Sequence, residues 1–196
     1  MNDFELGWVP GRRGGLVLAP GASATRDHPS LVVIDNTLAV VGIVVERIDL
    51  PSSRPGPKVL AAIVAAAEAL AARTDLPLER IALGGRSFGG RMCSEAVAGG
   101  LPAAGLVLVS YPLHPPGRPE AARTGHLSRL DVPCLFVSGT RDAFGTPAEM
   151  EAASAGVRGP VTHVWIDGGN HGLRGRDVEV AAAVKDWMTA LPGLRG

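Results

Sequence analysis

The chain has 196 residues, 46% of them apolar, and its 19 basic residues balance 19 acidic ones. That length suits one domain spanning 1–196, and that apolar content is enough for a packed core and too high for disorder. With neither a basic surplus nor an acidic tail, the charge balance argues against a nucleic-acid partner and against a solvated charged arm.

The first stretch, MNDFELGWVPGRRGG, lacks the basic-then-apolar pattern of a secretion signal, and Arg12 and Arg13 read as a solvated turn. GLVLAP (15–20) is the first predicted strand. Residues 30–41 form a helix that Asp27 or His28 can cap, with Pro29 suited to its first turn. The apolar region 31–45 is interrupted by Asp35, Asn36 and Gly42, so it does not read as a membrane span. IVVERIDLP (43–51) is the second strand, and the Ala- and Leu-rich stretch 59–74 is a helix by propensity. RIALGG (80–85) is the third strand. It runs into a glycine-rich turn, a helix over 90–99, and the stop signals Gly99 and Gly100. AAGLVLVSYP (103–112) is the fourth strand, and 113–130, with its prolines, is loop-like. PCLFVSGTRD (133–142) and PVTHVWIDGG (160–169) are the fifth and sixth strands, separated by a short helix over 146–156 with Thr146 as its cap. A closing helix covers 177–191. The two cysteines, Cys93 and Cys134, are too few for a disulfide framework or a metal cluster. They read as buried thiols of a reducing compartment, and a soluble cytoplasmic protein with no membrane partner is the expectation.

The strands are short and uniformly apolar rather than alternating, which is how strands covered on both faces read. Their alternation with helices predicts an α/β fold, a mostly parallel sheet of about six to seven strands with helices on both faces. In such a sheet ligands gather outside the carboxyl ends of the strands. The residues just past each strand are therefore the ones to weigh.

Gly85-Arg86-Ser87-Phe88-Gly89 follows a strand, precedes a helix and fits G-x-S-x-G. In this turn the serine takes a strained backbone conformation, and side chains two residues either side would collide with neighbouring elements. A phosphate-binding loop would need Lys-Ser or Lys-Thr after its last glycine, and Arg91-Met92 stands there instead. A serine hydroxyl needs a base, and the base needs an orienting acid, in the chain order Ser, Asp or Glu, His. Asp142 ends the fifth strand and His171 lies just past the sixth, so the predicted catalytic set is Ser87, Asp142 and His171. Asp167 is a rival acid, read as closing a turn, and His163, within a strand, is read as a core or face residue. Two backbone N–H groups should hold the oxyanion, those of Phe88 and Ala22. Arg86, Tyr111 and His114 fall near the site and are candidate substrate-lining residues; His114 equally fits a proline-stiffened loop with its ring bonded to backbone, and Arg86 an ordinary exposed ion pair as much as a guide for an anionic substrate. Cys93 reads as packing. The chemistry calls for no cofactor and no metal ion.

The strings APGA, LGGRSFGGRM, SYPLHPPGRPE, FVSGTRDAFG and GGNH, taken together over about 14–190, resemble the α/β-hydrolase superfamily. Within it they look like a small cap-less subfamily of predicted hydrolases similar to dienelactone hydrolases. That subfamily includes a testis-expressed protein and, more distantly, a scaffold subunit of a histone acetyltransferase complex. The resemblance implies the α/β-hydrolase fold and a triad of Ser87, Asp142 and His171. The chain departs from dienelactone hydrolases in carrying serine where they use cysteine. It departs from lipases in having APGAS where they have an HGGG-type motif. It is also too short for a cap between strands, leaving 113–130 as the only cover. The implied activity is hydrolysis of small carboxylic esters or thioesters through an acyl-enzyme in an open site. The alternative is a catalytically weak interaction module of the same fold. Small hydrolases of this shape often pair, so a homodimer is open.

Overall fold

The computed structural model describes residues 13–194, so the N-terminal signal reading and Arg12 lie outside it. Among the described residues the apolar runs form six strands: β1 (Gly14–Ala19), β2 (Ile43–Arg47), β3 (Ile81–Arg86), β4 (Leu106–Val109), β5 (Cys134–Gly139) and β6 (Val161–Ile166). They lie in the order β2-β1-β3-β4-β5-β6, every neighbouring pair parallel. Five helices connect them: α1 (Pro29–Ala39), α2 (Pro57–Thr74), α3 (Phe88–Ala98), α4 (Pro147–Ser154) and α5 (Asp177–Ala190). This is the α/β-hydrolase arrangement, and no inserted domain caps it among the described residues.

Successive strand residues point to opposite faces, so a strand covered on both sides must be apolar throughout. Leu16 and Leu18 of β1 pack with Leu31, Ile34 and Leu38 of α1 and Val184 and Met188 of α5. Val17 and Ala19 of the same strand pack on the other face with Ile63 and Leu70 of α2 and Met92 of α3. The uniform burial read from the sequence holds for the interior strands. The edge strands β2 and β6 are half-exposed over most of their length.

From β1 the chain passes to β2 on one side, and the next crossover brings β3 to the other side. The loops that leave β1 and β3 thus part at their carboxyl ends and open a crevice, the usual place for a ligand in an open parallel sheet. Among the described residues no helix is long and apolar enough to cross a membrane.

Several segments differ from the sequence reading: β2 ends at Arg47 rather than at 51 and β5 at Gly139 rather than at 142, and three more bear on the site. α3 begins at Phe88 rather than at 90, because the chain turns helical straight after Ser87 even though Gly89 and Gly90 are poor helix formers. β4 covers only Leu106–Val109, and Ser110, at φ 49°, ends it. The segment 113–130 is not plain loop: it holds short 3₁₀ turns at Pro119–Ala121 and Leu127–Arg129 and is pinned by buried His126 and Leu127. His126 Nε2 lies 2.8 Å from Ser94 Oγ of α3 and 3.2 Å from Tyr111 Oη. Burial lowers the pKa of this imidazole, which suits a neutral ring tying the segment to the helix behind the site.

Candidate active site

β3 ends at Arg86, and Ser87 stands at φ 50°, ψ −117° before α3 begins. Its N–H donates to Val109 O at 2.8 Å, so the neighbouring strand fixes the turn. The flanking glycines are dictated by close approach. A Cβ on Gly85 would lie 2.2 Å from Ala19 O, and one on Gly89 would lie 2.4 Å from both Ala19 O and Pro20 O. The elbow is pressed against the end of β1, and no side chain fits between them.

Ser87 Oγ lies 2.8 Å from His171 Nε2. His171 Nδ1 lies 2.8 Å from Asp142 Oδ2 and 3.0 Å from Oδ1. A carboxylate only accepts, so Nδ1 carries the proton toward Asp142 and Nε2 is left free to accept from Ser87. Asp142 is buried, with its side chain 1% exposed, and Phe144 N donates to Oδ1 at 2.8 Å. The loops bearing the acid and the base are tied together by Arg141 N–H donating to Gly169 O at 2.8 Å. That contact requires Gly139, where a Cβ would lie 2.1 Å from Gly169 O. The Phe144 ring stacks on the imidazole at 4.0 Å between centroids and 27° between planes. The sequence reading passed over Phe144, although its place two residues beyond the acid on the same turn was a usable signal.

Arg86 holds the other side of the base. Its Nη2 donates to His171 O at 3.0 Å and Gly172 O at 3.2 Å. Burial pushes its guanidinium below the usual arginine value, while the charges of Asp142 and Asp177 oppose that. Phe88 opens α3, where the first amides of a helix have no partner within it. Ala22 sits in the loop after β1, beside Gly21, whose added Cβ would lie 3.7 Å from Ser87 Cβ. Both residues line the cavity of about 570 Å³ into which Ser87 and His171 open.

The other expected residues fall as follows. Arg86 lines the cavity, but Tyr111 and His114 do not, which corrects the expectation that they face the substrate. Tyr111 is turned into the core toward His126, and its ring meets Phe136 edge-on. His114 is buried with Nδ1 2.8 Å from Pro115 O and Nε2 3.4 Å from Glu149 Oε2. The bond to the Pro115 carbonyl raises its pKa, desolvation opposes it and Glu149 assists. The prolines after β4 therefore fold His114 back onto its own loop. Asp167 receives Thr140 Oγ1–H at 3.3 Å and makes no contact with His171. His163 is stacked between Phe136 and Trp165. Cys93 and Cys134 are buried free thiols, both pushed up to about 12 by desolvation and so protonated. Among the described residues no group of three or more His, Cys, Asp or Glu is placed to hold a metal ion. Arg91 and Arg123 also line the cavity, a contribution the sequence reading did not see.

Residues 12–191 match the model of a family described as alpha/beta hydrolase domain. Among solved structures the chain is similar to a dienelactone hydrolase from Anabaena variabilis, with TM-score 0.75, 20% identity, and coverage of 93% of this chain and 88% of that one. It is also similar to an alpha-beta serine hydrolase homologue from Coxiella burnetii, with TM-score 0.73, 17% identity, and coverage of 90% and 85%. At such identities the likeness speaks for the fold alone. Among curated proteins, a segment of 63 residues is 38% identical to epoxide hydrolase A of Mycobacterium tuberculosis. That segment is 32% of this chain and only 20% of the relative's length.

Proposed function

The chain belongs to the alpha/beta hydrolase domain family, and from that membership we propose that it is a serine hydrolase cleaving small carboxylic esters or thioesters through an acyl-enzyme. The observation that carries the reading is the continuous hydrogen-bonded chain at the carboxyl edge of the sheet. It runs from Ser87 Oγ through His171 to buried Asp142 with a 2.8 Å contact at each step. Ser87 Oγ attacks the carbonyl carbon as His171 Nε2 takes its proton, and the carbonyl oxygen becomes an oxyanion. Asp142 keeps Nδ1–H oriented and stabilises the imidazolium that forms. The amides of Phe88 and Ala22 donate to the oxyanion, and losing one such donor costs an enzyme ~10²–10³ in rate. As the tetrahedral intermediate collapses, the bond to the leaving alcohol or thiol breaks and that group takes the proton from His171. Water then repeats the sequence, with His171 as base, and releases the acid and Ser87. No cofactor enters any step.

The test is turnover of p-nitrophenyl acetate, with covalent labelling by a fluorophosphonate as a second readout. The wild-type protein is expected to cleave the ester and take the label, and Ser87→Ala to lose both, with kcat falling by on the order of 10⁴ or more. Equal rates for the two proteins would overturn the reading. A folded protein whose Ser87 never takes the label would favour the interaction module that the resemblance to a scaffold subunit suggests.

A further inference from the structure

Acyl transfer at Ser87 leaves part of the cavity wall unexplained. Arg86, Arg91 and Arg123 line it with Ser87 and His171, and no aspartate or glutamate does. Arg91 is matched by Glu95 at 2.6 Å. Arg86 and Arg123 are not matched: among the described residues no carboxylate forms an ion pair with either guanidinium. Both are half-buried; Arg86 directs its Nη2 to two carbonyls and feels the charges of Asp142 and Asp177 without pairing with either, so Arg123 is the cation with the least compensation. A cation partly drawn out of water without an ion-pair partner raises the energy of the empty site. The whole chain has no net charge, so the excess belongs to this wall and not to the molecule. An anion entering the cavity would restore the balance, and the planar fork of a guanidinium pairs with an oxyacid through two parallel hydrogen bonds.

We propose that the substrate is an ester carrying a second, anionic oxyacid group, a carboxylate or a phosphate, which Arg86 and Arg123 bind beside Ser87. The inference rests on the hydrolase reading for its ester and on the cavity wall for its charge. Arg86 also holds the carbonyls of the base's loop, so Arg123 is the cleaner position to change. Its backbone N–H donates to Leu113 O at 2.8 Å, a bond that a substitution keeps.

Two esters of matched length, p-nitrophenyl hemisuccinate and p-nitrophenyl butyrate, separate charge from size. The whole protein is expected to favour the hemisuccinate by about tenfold or more in kcat/KM, as hydrogen bonds to a charged group allow. Arg123→Gln should reduce that ratio by about tenfold and Arg123→Lys should keep part of it. A second arm does not depend on turnover. Ser87→Ala, titrated by NMR, should bind monomethyl succinate or 2-acetoxyethyl phosphate more tightly than methyl butyrate, and the tighter of the two anions identifies the oxyacid. Equal kcat/KM for the two nitrophenyl esters would overturn the proposal while leaving the hydrolase reading intact. So would an equal fall for both in Arg123→Gln, or binding to Ser87→Ala no tighter for either anion than for methyl butyrate. If no ester is cleaved, the hydrolase reading falls and the titration alone decides the anion site.

Discussion

A non-glycine residue in the left-handed region costs on the order of 1–3 kcal/mol and persists only where its surroundings over-determine it. Ser87, at φ 50°, is held by Val109 O behind it, by the first turn of α3 after it, and by glycines that let the end of β1 press against the turn. Gly89→Ala tests that account. The new methyl would meet two carbonyl oxygens of the backbone, Ala19 O and Pro20 O, each at 2.4 Å, and neither can rotate away. We expect a loss of about 1–3 kcal/mol in urea unfolding, as for overpacking elsewhere. The loss in ester turnover should be larger than that implies, because the push separates the amides of Phe88 and Ala22. Gly156→Ala, with open space around it and no positive φ, serves as control and should stay within about 0.5 kcal/mol of wild type. A Gly89→Ala protein as stable and active as wild type would show that the glycine is not there for close approach. At this scale Ser87, Asp142 and His171 were legible because local turn chemistry and chain order mark them. Tyr111 was misplaced, and His114 was left undecided between cavity and loop, because proximity in sequence does not say which way a side chain turns.

Helices show the same division between local and distant causes. α4 was legible from T-P-A-E alone. Thr146 Oγ1 accepts from Glu149 N at 3.3 Å, Glu149 Oε2 accepts from Thr146 N at 2.8 Å, and Pro147 fills the first position. Thr146→Ala removes one half of that box and should cost about 1 kcal/mol, seen as a lower urea midpoint at an unchanged slope. An unchanged midpoint would mean that Pro147 and Glu149 suffice without the hydroxyl. α3 was legible in its existence but not in its start. Propensity delays it past Gly89 and Gly90, whereas packing of Gly89 against Ala19 and Pro20, and of Gly90 against Gly85, demands glycine there and overrides propensity. The turns within 113–130 were not legible at all. The one at Leu127–Arg129 follows His126, which meets Ser94 of α3 and Tyr111 beyond β4, partners 32 and 15 residues away in the chain.

Across the whole molecule, the alternation of apolar runs and helices disclosed a parallel sheet, and the rule that ligands sit past the carboxyl ends pointed to the edge where the candidate site lies. The cavity's character was hidden, because Arg86, Arg91 and Arg123 come from a strand end, a helix and a loop that only the fold assembles. The same architecture bears on which acyl groups the proposed esterase would accept. No segment between strands forms a cap among the described residues, and the pinned segment 113–130 supplies Arg123 to the cavity edge rather than a lid of apolar side chains. A methylene gains about 0.8 kcal/mol only when protein covers it. The cavity lining offers Phe88, Phe144, Pro55 and Pro112 as apolar contacts for the first few carbons of an acyl chain, and three guanidinium groups beside them. Among uncharged p-nitrophenyl esters, kcat/KM should therefore peak at about two to four acyl carbons and rise no further with length. The check is a series from acetate to decanoate at concentrations below micelle formation. A steady rise to the decanoate would require apolar cover that the described residues do not provide, and would contradict an open, cation-walled site.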